Sequence, residues 1–415
     1  MKILQLTTCL PYPPDDGGKI GIFNLTKYLS LRGQKIVLLP IISGRTKETS
    51  RNIEGLRKWC EVRAVYQNTE TNFWGLFLNL FFKIPYTISK YHSSKVKGAI
   101  KKILSKGKFD LVHIDSLHMA YYGEFIKHEF KLPIVLREHN VQTTIMERYY
   151  QQQGNPLIKL YAYLQYRKMR RYEAKICEIF DRCLMITRED KKRIEAMNPS
   201  VKTCIIPAGV DTSYFYPLKI EEESWSLIFV GDLRWLPNVD GIMWFYNRVW
   251  PRIKKAFSQV KLYVIGGQPP EKIRKLGKRD QNIIVTGFVR DVRPYVARCP
   301  VYIVPLRIGG GMRLKILEAM AMERPVVATS VGAEGIMITD RENIIIADSE
   351  ADFAGRVIEL LKEKNLRKRI AQGGKRLIEQ RYRWESVIEA LEKEYFRVLE
   401  NRGKSASVNS VRRVG

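Results

Sequence analysis

Short runs of apolar residues recur along this chain, and most are apolar throughout instead of alternating with polar positions. A strand of that kind must be covered on both faces, which is the condition of a parallel sheet sandwiched between helices. The runs fall into two sets. The first is Lys2–Leu6, Lys35–Ile41, Leu111–Ile114, Ile134–Arg137, Arg182–Ile186 and Thr203–Ile206. The second is Ser226–Val230, Lys261–Ile265, Ile283–Thr286, Val301–Val304, Val326–Ala328 and Ile344–Ile346. Helical stretches separate the runs, so βαβ units and doubly wound α/β sheets follow. Between the sets, Pro207–Glu223 carries Pro207, Gly209, Pro217 and the acidic triplet Glu221–Glu223, a linker composition. The chain therefore divides into an α/β domain over 1–206 and a second over 207–384. A helix over 385–400 follows, with Ile388, Leu391, Tyr395 and Val398 on one stripe. The Lys/Arg/Ser-rich tail 401–415 has little to bury and is expected to be disordered.

Charge narrows the partners. Lys and Arg number 71 against 43 Asp and Glu, a net charge of +28, which favours anionic ligands: nucleic acid, anionic lipid or phosphorylated small molecules. No zinc-finger or RNP-type motif is present and the basic residues are spread along the chain, which argues against nucleic acid. The six cysteines form no CxxC pair and no Cys/His cluster, so they read as reduced thiols without a metal. The most apolar window, Phe73–Phe82, falls far short of the ~20 residues that span a bilayer. The N-terminus lacks the long apolar core of a secretory signal. The expected location is cytoplasmic. Lys95, Lys97, Lys101, Lys102, Lys106 and Lys108 follow the aromatic window, so 73–108 is a candidate peripheral contact with anionic lipid on the inner face of the cell membrane.

Two glycine loops could hold phosphate. In the first, Asp15-Asp16-Gly17-Gly18-Lys19 lies between a strand and a helix carrying Ile22, Leu25 and Leu29 on one face. Backbone N–H groups at such a turn can approach an anion closely. The second loop, Gly309-Gly310-Gly311, follows the strand Val301–Val304 and opens a helix. Successive glycines there expose amides to an anion. Arg313 and Lys315 then stand at the positive end of a helix dipole, a conflict that an anionic ligand would offset. Glu318, three residues beyond Lys315, can accept hydrogen bonds from a ribose diol or simply pair with Lys315 on the surface.

The run Gly309–Ile336, GGGMRLKILEAMAMERPVVATSVGAEGI, resembles the nucleotide-sugar site of family 4 glycosyltransferases, retaining enzymes of the GT-B fold. PPDDGGKIGIFNL, FDLVHIDS, LREHNV, IPAGVD, FVGDLRWLPNVD and GFVRDV match in order, most like the branch that works in exopolysaccharide assembly. The resemblance implies two Rossmann-like domains facing across a cleft, with donor mainly on the C-terminal domain and acceptor on the N-terminal one. It implies a final helix that crosses back to the N-terminal domain. The expected partners are a UDP- or GDP-sugar and a glycan or lipid-linked acceptor, and transfer is expected to need neither cofactor nor metal. A non-catalytic nucleotide-sugar-binding protein is the alternative.

By position, Glu318 matches the second Glu of the family's E-x7-E signature, while the first falls on Gly310. The family's GR…K pair reads Asp232 and Pro237, so Arg313 and Lys315 are the expected substitutes at the diphosphate, with Arg234 a weaker candidate. Gly287 and Phe288 match the loop at the base. Gly17, Gly18, Gly231, Gly309, Gly310, Gly311, Met312 and Leu314 complete the expected donor contacts. In the N-terminal domain the family's H-x-H pattern reads His113-Ile114-Asp115. His113 reads as a core residue, Asp115 as a ligand for a sugar hydroxyl, and His139 as a second group beside the reacting sugar.

Overall fold

The computed structural model describes residues 1–14, 17–44 and 46–411. Asp15 and Asp16, the acidic half of the first glycine loop, and residues 412–415 of the expected tail lie outside the described residues. The chain forms two compact units: Met1–Pro207 together with the chain from Ile388 onward, and Ala208–Val387.

Unit 1 holds β1 (Lys2–Thr7), β2 (Lys35–Ile42), β3 (Glu61–Val62), β4 (Val65–Tyr66), β5 (Leu111–Asp115), β6 (Ile134–Glu138), β7 (Arg182–Met185) and β8 (Thr203–Ile205). They form a parallel sheet in the order β3-β2-β1-β5-β6-β7-β8, with β4 beside β2. The two-residue strands β3 and β4 are too short for any hydrophobic period to reveal. Leu4, Leu6, Val112, Ile114 and Leu136 are buried in the core beneath the helices, as two-sided burial requires. The register decides which polar residues meet: Thr7 pairs with Asp115, and Asp115 with Arg137, at the carboxyl ends of β1, β5 and β6.

Unit 2 repeats the arrangement with β9 (Ser226–Val230), β10 (Lys261–Ile265), β11 (Ile283–Gly287), β12 (Val301–Val304), β13 (Val326–Ala328) and β14 (Ile345–Ile346). The order is β11-β10-β9-β12-β13-β14, all parallel. Chain direction across the sheet therefore reverses between β9 and β12. At such a switch point the following loops part and leave a crevice outside the strand ends.

The final helix spans Trp384–Val411 and from Ile388 belongs to unit 1. Ile388, Leu391, Tyr395 and Val398 form its buried stripe. Tyr395 Oη lies 2.6 Å from Nδ1 of the fully buried His113, and Glu392 accepts from Gln34 at 2.6 Å. The helix continues through the first eleven residues of the segment expected to be disordered. Adding residues to a helix already nucleated by a packed segment costs little, which a count of apolar residues overlooks.

Tyr395→Phe leaves His113 Nδ1 buried without its partner. Chemical denaturation should find the variant about 1–3 kcal/mol less stable than the parent.

Candidate functional site

Unit 2 gathers its polar groups at the switch point. Gly231 directly follows β9, and its N–H donates to Ile265 O at 2.9 Å. Gly266 follows β10, and a Cβ there would overlap the Gly231 carbonyl oxygen, so only glycine lets the two strand ends approach this closely. Gly287 ends β11 with φ +72, turning the chain sharply and leaving Phe288 exposed.

The second glycine loop forms a bend with φ +124 at Gly309 and +80 at Gly311, conformations that a side chain would strain. Arg313 is the residue before the helix Leu314–Ala321, not part of its first turn. Its side chain is 6% exposed and folds back to donate to the carbonyls of Gly310 and Gly311, the latter at 2.7 Å. The guanidinium carbon lies 5.2 Å from the Trp235 ring. Arg313 thus braces the bend from inside, where inward-facing carbonyls need donors. Met312 and Leu314 turn their side chains to the core, so only their backbones could serve a ligand.

Lys315 occupies the crevice itself. Its Nζ donates to Asn238 Oδ1 at 2.9 Å, lies 4.3 Å from the Phe229 ring centre and stands over Gly231. Burial first, and then the Arg313 charge, pull its pKa down to about 7. Glu318 lies one turn on and makes no side-chain hydrogen bond among those described; the expected surface pairing with Lys315 gives way to the Lys315–Asn238 contact. Burial pushes the Glu318 carboxyl up to about 7, with Lys315 opposing. A half-buried carboxylate without a protein donor suits a ligand that brings its own hydroxyls. Arg234 is exposed and pairs with its neighbour Asp232 at 2.8 Å, and the Asp232 charge in turn reaches Lys315. Sequence reasoning missed Asn238; the signal available was an amide set among apolar residues in Trp235–Val239.

Unit 1 builds a second cluster where β1, β5 and β6 end. Asp115 is fully buried, so the expected direct contact with a sugar is not open to it. Its Oδ1 meets His139 Nε2 at 2.6 Å, and its Oδ2 accepts from Gln5 Nε2 at 3.2 Å with His113 Nε2 at 3.6 Å. Burial alone would raise the Asp115 pKa. His139, Arg137 and the bonds from the two histidines outweigh it and hold the carboxyl well below the usual range. An ionised Asp115 accepts from Nε2–H of His139, and in the neutral tautomer that this bond selects Nδ1 is the ring's acceptor. His139 is 23% exposed and is the member of the network that a ligand can touch. His113 is a core residue, its pKa lowered by burial. Gly17 and Gly18 open the helix Gly17–Leu31 and are exposed, and nothing lies within 4 Å of a Cβ built at Gly17. Among the described residues no group of three or more His, Cys, Asp or Glu is placed to hold a metal ion.

Comparison with known proteins follows the two units. The family described as Glycosyltransferase Family 4 matches residues 16–214, and Glycosyl transferases group 1 matches 225–363. A 44.6 kDa protein in the cps region of Klebsiella pneumoniae is 24% identical over 405 residues, covering 95% of this chain and 99% of that protein. A glycosyltransferase of Methanocaldococcus jannaschii is 24% identical over 354 residues, covering 79% of this chain and 78% of that protein. Among solved structures, Anabaena HepE in complex with UDP has a TM-score of 0.69 at 13% identity, covering 95% and 99% of the two chains. Sucrose-phosphate synthase from Thermosynechococcus elongatus has a TM-score of 0.68 at 16% identity, covering 97% and 100%.

Glu318→Gln tests the buried acid. The raised folded-state pKa means that Glu318 contributes stability below about 4.5 that is lost as pH rises to about 7. Glutamine does not titrate, so denaturation across this window should show the stability difference shifting in the variant's favour, with flat limbs outside it.

Proposed function

The chain belongs to the family 4 glycosyltransferases and has their GT-B fold, and from that premise we propose that it moves a sugar from a nucleoside-diphosphate sugar to a glycan or lipid-linked acceptor in surface-polysaccharide assembly. The relative from a cps region supports the assembly context. The UDP carried by HepE supports a uridine or related donor.

The observation that carries the reading is Lys315 beside Gly231 at the β9–β12 switch point, with Glu318 one turn away. The donor diphosphate lies against Lys315 and the glycine-bend amides, and Glu318 accepts from the ribose hydroxyls. As the sugar–phosphate bond breaks, negative charge grows on the leaving phosphate. A cation held ready in a partly dry site stabilises that charge more than the ground state. His139 Nδ1 accepts from a sugar hydroxyl, with Asp115 holding the ring. Transfer retains anomeric configuration by same-face attack, the leaving phosphate taking the acceptor's proton. The chain supplies no nucleophile and the reaction uses no metal.

A nucleoside diphosphate raises the Lys315 pKa from about 7, so binding near pH 8 should take up a proton, read by calorimetry in buffers of different ionisation heat. UDP, GDP and ADP are the probes, and one should protect the chain against thermal unfolding. Lys315→Ala should remove that protection and lower kcat by about 10²-fold or more. Protection by none of the three, or undiminished protection of Lys315→Ala, overturns the reading.

The lipid-linked acceptor is supported by an apolar surface on unit 1. Trp74 and Phe81 are 72% and 77% exposed, and Leu157 on the helix Pro156–Ile176 is 78% exposed. The two segments adjoin: Gln165 donates to Asn79 at 2.9 Å and Lys168 to Asn79 O at 2.6 Å. Of the lysines after the aromatic window, Lys95, Lys102, Lys106 and Lys108 are exposed, and two others meet neighbours on unit 1. Lys97 lies over the Phe125 ring and Lys101 pairs with Glu129 at 2.5 Å. The apolar part of the surface facing the membrane is the 73–82 segment with the start of the helix Pro156–Ile176. Vesicles containing anionic lipid should sediment the parent, and the Trp74→Ser/Phe81→Ser double variant should bind them at least about tenfold more weakly. Equal binding removes the membrane contact.

A further inference from the structure

Arg137 is the penultimate residue of β6, two before His139, and is 1% exposed. Its Nε and Nη1 are buried without a hydrogen-bond partner. A buried guanidinium N–H left unbonded is costly because it has given up water without gaining a partner, so such a group calls for a reason. Neutralising Asp115 does not supply it. An arginine placed for that purpose bonds its carboxylate at about 2.7–2.9 Å, often through two nitrogens. Here Nη1 stays 3.7 Å from Asp115 Oδ1, whose hydrogen bond goes to His139.

The helix Gly17–Leu31 supplies the second observation. A Cβ at Gly21 would stand 3.6 and 3.7 Å from Arg137 Nη1 and Nη2 and 3.6 Å from His139 Cε1. Glycine at this position leaves a methyl-sized gap between a guanidinium and an imidazole. The first turn of the same helix adds exposed N–H groups at Gly17 and Gly18. We propose that Arg137, across the gap left by Gly21, binds an oxyanion carried by the acceptor, either a phosphate or a carboxylate group. The proposal rests on the reading of unit 1 as the acceptor-binding half.

Gly21→Ala tests it without endangering the fold, because the added methyl meets only ordinary van der Waals contacts and alanine favours a helix. Inorganic phosphate and glucuronate are titrated calorimetrically into the full chain carrying Lys315→Ala, so that the unit 2 cation cannot bind the probe. Binding of phosphate alone assigns a phosphorylated acceptor, and binding of glucuronate alone an acidic sugar. In either case adding Gly21→Ala, or Arg137→Met, should weaken binding about tenfold or more. If neither probe binds, or if Gly21→Ala binds as tightly as its parent, the proposal is overturned and Arg137 serves only to balance Asp115. The donor reading stands or falls separately, since no nucleotide enters this titration.

Discussion

A parallel sheet covered by helices on both faces offers ligands only the ends of its strands. In this chain those ends also hold charge that is kept largely out of water. Asp115 and Arg137 are register neighbours across β5 and β6, and Lys315 stands over the end of β9. Each would be costly to bury alone. Each is tolerated because neighbouring dipoles or opposite charge offset part of that cost, and the remainder is available to a ligand of the right charge. Both units depend on this balance, and each places it at the carboxyl ends of its own inner strands.

The two cations beside the glycine bend illustrate how similar residues divide the work. Arg313 has a planar fork of donors that matches two adjacent carbonyls, and it holds Gly310 and Gly311 in a shape their freedom would otherwise blur. Lys315 presents a compact ammonium whose charge state responds to its surroundings, and it faces Asn238 and Gly231. The bracing residue keeps the bend in place, while the responsive one stands in the crevice close to the end of β9. Unit 1 shows the same division: Asp115 positions from within, and His139 reaches outward.

Most of the strand framework was legible from uninterrupted Val, Ile and Leu runs, since a two-sided apolar strand has few other places to go. Ser226–Val230, Lys261–Ile265, Val301–Val304 and Val326–Ala328 match to the residue. The glycine bend was legible because three consecutive glycines are hard to explain without a close approach. The strands β3 and β4 were invisible at two residues each, and the helical start of the basic tail was hidden by its polarity. Asn238 and Arg137 were missed because a polar residue in an apolar context reveals nothing about its partner.

Residue type and spacing along the chain were enough to settle two α/β halves and the loops that carry glycine at their strand ends, because burial periodicity and glycine's conformational freedom are local properties. The direction in which each charged side chain points depended on packing. Register put Arg137 beside Asp115 without bonding it, inward carbonyls drew Arg313 back onto its own loop, and Asn238 drew Lys315 away from Glu318. These outcomes turn on contacts between residues up to 77 positions apart, and no local pattern encodes them.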